Sequence, residues 1–306
     1  MGDSDPPDDT PDLAPPPPDE EPASLFTPVV VRGLLVSVLG CMFAGIALWT
    51  LVLDPNPTPA PWAGWRVRDS LLTLAAAYCL RGTAQCVWAV LVFQRDMRGR
   101  PPVPQLTHNL GLGAWQLVGC VVAVGAFALA PYGVGADALG LVPAASGYLT
   151  AGAVIGFVAG PGGILLFVLI GKLTRDPMKL EGAQADFLDP RSGPRPPRLA
   201  VAGMLLVGVV LAPIAEELLF RGVVYPGLRG ALGPWVAVPL SAMLFGLAHR
   251  EFGSAAVVFS GIIGVAFALL VEGGGSVWPA VLAHMLVNSK LALLYLGTLR
   301  GPPLAT

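Results

Sequence analysis

Apolar residues in this chain come in long uninterrupted stretches, unlike the alternating or single-face patterns of a water-exposed fold. Eight stretches stand out, near 29–53, 70–93, 109–131, 148–172, 199–224, 234–250, 254–272 and 276–298. A helix needs about 20 apolar residues to cross roughly 30 Å of hydrocarbon, and the sixth and seventh stretches fall a little short. Helices satisfy their own backbone polar groups inside lipid, so the pattern predicts an all-α polytopic transmembrane bundle of about eight helices. Two polar segments set its boundaries. Residues 1–27 are rich in Asp and Pro and cannot bury enough surface to offset the entropy of ordering, which predicts a disordered acidic tail. Residues 174–198 hold Pro177, Pro190, Pro194, Pro196 and Pro197 and separate N-terminal helices over 28–173 from a second group over 199–298.

Composition strengthens the membrane reading. Of 306 residues 54% are hydrophobic and only 12% charged, against about 25% charged in a soluble domain. Lipid must therefore cover much of the surface. The net charge of −2 hides a split, because residues 1–27 hold eight acids and no base. The remainder carries 12 acids against 18 Lys and Arg, a net of +6. Nine of those bases fall in two loops: Arg95, Arg98 and Arg100 after the second stretch, and Lys172, Arg175, Lys179, Arg191, Arg195 and Arg198 after the fourth. The connection at 132–147 has no Lys or Arg. With basic loops inside, both termini are expected to be cytoplasmic in the cell (inner) membrane, Arg66 and Arg68 being a minor departure. No basic cluster with interleaved aromatics points to nucleic acid. Cys41, Cys79, Cys86 and Cys120 lie in apolar stretches without CxxC spacing and read as packing residues. The acidic, proline-rich start lacks the basic region and apolar core of a secretory signal, and neither Gly2 nor the final residues 302–306 sit in a lipidation motif.

Polar groups at bilayer depth are functional candidates because leaving them unpaired costs several kcal/mol. In the N-terminal half these are mainly Arg81 and Gln85, which read as packing or snorkelling groups, and His108 at a helix start reads as interfacial. The C-terminal half is richer. Glu217 and Arg221 are four apart, which puts them on one helix face as a buried ion pair. Glu216 is turned about 100° away and stays available as a base. Pro213 upstream removes a backbone bond and bends the helix. Phe245 and His249 are four apart, so the phenyl ring can wall the imidazole; His284 and Asn288 share a face and offer donors for a developing oxyanion. A single membrane histidine is more often interhelical glue than a catalyst. Four such groups on successive apolar helices favour a site.

Taken in order, the motifs EExxxR (Glu216, Glu217, Arg221), FxxxH (Phe245, His249) and HxxxN (His284, Asn288) resemble those of the CAAX-protease and bacteriocin-processing family of intramembrane metallopeptidases, also called Abi or CPBP. The resemblance covers about 199–298. It implies an intramembrane endopeptidase acting on a membrane-associated or lipidated peptide. Glu216 and His249 would activate water, His284 and Asn288 would steady the oxyanion, and Glu217, Arg221 and Phe245 would support the site. A zinc ion is the candidate cofactor, and Glu216, His249 and His284 would be its ligands in a His₂Glu set. A metal-free mechanism with glutamate as base is the alternative, and the absence of HExxH excludes a zincin. Two other functional classes compete: a non-catalytic scaffold or immunity factor of the same family, and a proton-coupled transporter. Transport predicts polar residues in both halves, and here they concentrate in one.

Ideal full spans set one difficulty. They would leave Glu216 near the outer end of its helix and His249 near the inner end of the next, at depths that do not meet. Tilt, half-length helices, or a helix running past Gly222 towards Arg229 would bring them together.

Overall fold

The computed structural model describes residues 66–97, 113–114, 117–174, 198–250 and 253–300. The acidic tail, the first apolar stretch, His108 and most of the 174–198 boundary lie outside the described residues. Within them every regular element is helical: α1 Val67–Met97, α2 Leu117–Tyr132, α3 Ser146–Thr174, α4 Val201–Leu232, α5 Pro234–Ala248, α6 Ser254–Gly274 and α7 Trp278–Arg300. These correspond to the second to eighth apolar stretches, and the chain is a helical membrane bundle. Three described helices are long and apolar enough to cross a bilayer: Val67–Leu91, Val201–Leu232 and Ser254–Gly274. Large apolar side chains point outward, among them Phe157 at 74% and Trp235 at 88% exposure, as a lipid-facing surface requires.

One boundary differs from expectation in a way that matters. The fifth stretch does not end at 224 but continues as α4 to Leu232. Prolines explain both its length and its irregularity. A proline inside a helix lacks an N–H and crowds the carbonyl four residues back, and a widened π-turn is one way to relieve that crowding. The π-turn Leu206–Leu211 precedes Ala212-Pro213, and the π-turn Phe220–Val224 precedes Tyr225-Pro226. Between them, Ala212–Leu219 is regular α-helix. Each proline is absorbed by one wide turn, so the chain carries on instead of breaking. Glu216 therefore lies at mid-helix, about 24 Å from the Leu232 end at 1.5 Å per residue. Helix α5, with 15 residues, is about 22 Å long, short of the hydrocarbon thickness. A long α4 and a short α5 bring Glu216 and His249 to one depth.

The helices meet through small residues. A side chain on Gly246 of α5 would stand 2.6 Å from the Val257 carbonyl of α6 and 3.1 Å from Gly261 N, so only glycine permits this crossing. Gly156 of α3 lies as tightly on Ala283 of α7, whose carbonyl would be 2.6 Å from an added Cβ. Without a hydrophobic force between helices in lipid, such close backbone approach supplies the packing. Helix α3 contacts both α6 and α7, and α1 contacts the C-terminal part of α4, so the described N-terminal helices pack directly on the motif-bearing ones. The α2–α3 connection adds a clamp: Leu139 is buried against Gly222, Val277 N–H donates to Gly140 O at 3.0 Å, and Ser276 Oγ donates to Val142 O at 2.7 Å. Arg68 is only 6% exposed and pairs with Asp69 at 3.5 Å, which also accepts from Tyr132 O–H. It is therefore an internal ion-pair member. Among the described residues no disulfide joins Cys79, Cys86 or Cys120.

Candidate active site

The EExxxR segment builds the deepest layer. Glu217 and Arg221 are both fully buried, with Arg221 Nε 3.2 Å from Glu217 Oε2, as the four-residue spacing predicts. A buried ion pair alone is weakly stabilising at best, because desolvation consumes the Coulomb gain. Here further contacts offset that cost. Arg221 Nη2 donates to the Gly264 carbonyl of α6 at 2.9 Å. Its guanidinium lies 4.3 Å from the Phe245 ring centroid and 5.5 Å from that of Phe267, within cation–π range.

Glu217 reaches a second partner. His284 Nδ1 lies 2.9 Å from Glu217 Oε1, and since a carboxylate accepts, the imidazole donates from Nδ1. The His284 ring is held between Phe267, 5.3 Å away and tilted by 30°, and the edge of Phe245 at 5.6 Å. Its other nitrogen, Nε2, faces Glu216 Oε2 at 3.9 Å. His249 is set by the same logic. Its Nδ1 is 2.9 Å from the Phe245 carbonyl, which can only accept, so Nδ1 carries the proton. Its ring packs on Phe245 at 4.8 Å, the walling that FxxxH spacing predicts, and Nε2 points to Glu216 Oε2 at 3.7 Å. One carboxylate oxygen thus faces two imidazole Nε2 atoms from two other helices.

That oxygen is buried and makes no hydrogen bond of its own. The separations of 3.7 and 3.9 Å are too long for direct hydrogen bonds and suited to a bridging water. Glu216 and His249 side chains are 18% and 22% exposed, so the layer carrying them is open, whereas Glu217, Arg221 and His284 form a closed base beneath. Adjacent carboxylates have taken opposite roles: one is spent on structure and the other is free.

Glu216, His249 and His284 are brought together, with Glu217, Arg221 and Phe245 around them. Asn288 stands apart. One turn beyond His284 on α7, it donates from Nδ2 to the Gly208 carbonyl of α4 at 2.9 Å. Gly264, Phe267 and Gly208 escape a reading of the sequence. Two of them act through a backbone carbonyl, which leaves no side-chain signature, and Phe267 sits unmarked in a uniformly apolar helix. Arg81 and Gln85 of α1 are half-buried, with Gln85 Oε1 shielded and lacking a hydrogen bond.

The donor types of Glu216, His249 and His284 are those of a His₂Glu zinc site. Their Nδ1–H groups also have the carbonyl and carboxylate partners typical around metal-bound imidazoles. The spacing is another matter: among the described residues no three His, Cys, Asp or Glu side chains close into a metal-holding group.

Residues 198–289 match the family described as Type II CAAX prenyl endopeptidase, Rce1-like. A curated protein of Bacillus subtilis (strain 168), named "Putative membrane peptidase YdiL", is 26% identical over 102 residues, which is 33% of this chain and 41% of that protein. The chain therefore spans well under half the length of this relative. No solved structure matches the chain. The matched stretch contains every residue from Glu216 to Asn288 and supports the CAAX-protease resemblance that the three motifs carry. The chain is thus an integral membrane protein similar, over its C-terminal third, to membrane peptidases.

Proposed function

We propose that, on the strength of a C-terminal third similar to CAAX-type membrane peptidases, this chain is an intramembrane endopeptidase whose water is activated by Glu216 and His249. The observation that carries the reading is Glu216 Oε2, buried without a hydrogen bond yet facing His249 Nε2 at 3.7 Å and His284 Nε2 at 3.9 Å. A water between Glu216 and His249 donates to both. Glu216 takes one of its protons as the oxygen adds to the scissile carbonyl carbon. The resulting oxyanion develops next to His284, which donates from Nε2 in its doubly protonated form with Glu217 as counter-ion. Asn288, one turn away, is the second donor. The C–N bond then breaks as Glu216 returns its proton to the departing amine, which balances the reaction with water as the only co-reactant.

Glu217 and Arg221 take no part in bond making; they hold the His284 ring in the orientation that turns Nε2 to the water. The substrate is a membrane-associated or lipidated peptide, since Glu216 lies at mid-helix in a lipid-covered bundle. Both termini lie on the cytoplasmic side, together with the two basic loops.

The test is cleavage of internally quenched apolar peptides by the full chain in proteoliposomes. Removing an acid–base group should lower the rate by about 10²-fold or more. Glu216→Gln and His249→Ala are each expected to abolish product while the protein remains folded and monodisperse. Full cleavage by both variants would overturn the roles given to Glu216 and His249, and no cleavage by the wild-type protein would leave the chain a membrane scaffold.

A further inference from the structure

We propose that Asn288 is set in place by a backbone carbonyl that Pro213 leaves without a partner, which makes Gly208 and Pro213 positioning residues of the site. What Asn288 does there rests on the peptidase reading; how it is held does not. In a regular α-helix the Gly208 carbonyl would accept from the N–H of residue 212. The π-turn diverts that donor, because Ala212 N–H bonds to Val207 O instead. The next donor in the widened register would be residue 213, and proline has no N–H. A carbonyl stranded inside a bundle surrounded by lipid is costly and needs an outside donor. Asn288 Nδ2 supplies one at 2.9 Å.

The consequences are geometric. A carbonyl only accepts, so this bond fixes which end of the Asn288 amide points to α4 and, with it, where the second N–H and Oδ1 are aimed. Gly208 lies two turns before Glu216, and Asn288 one turn after His284, so this bond adds to the Glu217–His284 bond in tying α4 to α7, two of the three site-bearing helices, beside the site. An added Cβ at Gly208 would meet nothing within 4 Å, so this glycine contributes its carbonyl and not its lack of a side chain. The sequence motif marks Asn288; the proline that gives it an anchor lies 75 positions earlier.

A thermal-unfolding cycle on the full chain in detergent tests this without any substrate. Asn288→Ala should lower Tm by several degrees in the natural background. In a Pro213→Ala background it should lower Tm by less than half as much, because that replacement restores a backbone donor to the helix. Gly208→Ala should leave Tm unchanged. Equal losses in the two backgrounds overturn the proposal. Should Pro213→Ala fail to fold, Asn288→Asp decides: it has the same shape but cannot donate, so it should be at least as damaging as Asn288→Ala, and wild-type stability would overturn the anchor. Positioning is read separately with a quenched peptide that the wild-type protein cleaves. Pro213→Ala should lower kcat about tenfold or more by misplacing the amide with KM within twofold, and an unchanged kcat overturns the positioning role. If the wild-type protein cleaves no peptide, the peptidase reading fails while the Tm cycle still decides how Asn288 is held.

Discussion

Glu216 and Glu217 are neighbours with nothing in common but their side chain. Glu217 is fully buried, ion-paired to Arg221 and bonded to His284; Glu216 is part-exposed and has no hydrogen bond at Oε2. Their amides should therefore part company. Glu217→Gln strands a buried guanidinium and is expected to cost about 3–5 kcal/mol, read as a clear fall in Tm in detergent. Glu216→Gln should leave Tm close to wild type while product formation disappears. Arg221→Lys should also destabilise, because a lysine cannot serve the Gly264 carbonyl and Glu217 together while lying flat on Phe245; the same melting experiment reads it. At this scale the sequence was informative where partners are close along one helix. The Glu217–Arg221 pair and the Phe245–His249 wall both follow from a spacing of four. The Glu217–His284 bond joins residues 67 positions apart, and no local rule contains it.

Among the elements, α4 carries the most consequence. Two prolines each induce a wide turn without ending the helix, so the helix expected to stop at 224 runs to Leu232 and Glu216 moves to its middle. Hydrophobic continuity places that end near 224, and the extension towards Arg229 was one of several ways the sequence left open to bring Glu216 and His249 to one depth. Helix crossings carry their own prediction. Gly246→Ala drives a methyl into the Val257 carbonyl and is expected to cost about 1–3 kcal/mol. Gly125→Ala meets nothing within 4 Å and should be neutral or slightly stabilising. Equal melting temperatures for the two would contradict the crossing described for α5 and α6.

On the scale of the whole molecule, the described helices form one lipid-facing bundle in which α3 wedges against α6 and α7. Orientation belongs here, because it depends on loops and not on any side-chain contact. With Arg95, Arg98, Arg100 and the bases of 172–198 inside, a green fluorescent protein fused after Thr306 should fluoresce and an alkaline phosphatase at the same place should be inactive. The opposite pair of results would invert the topology and the side from which peptide arrives.

Hydrophobic continuity by itself determined that this is a helical membrane protein, because lipid allows few ways to satisfy a backbone and apolar runs of this length use one of them. Three motifs likewise marked the chemical groups, since residues on one helix turn are neighbours whatever surrounds them. Tertiary structure alone decided that the groups meet: the extension of α4, the shortness of α5 and the glycine-paved crossings set three helices at a common depth. It also decided the division of labour between two adjacent glutamates and the anchoring of Asn288. Both depend on carbonyls and imidazoles far apart in the chain, and a linear pattern holds no information about which distant backbone group lacks a partner.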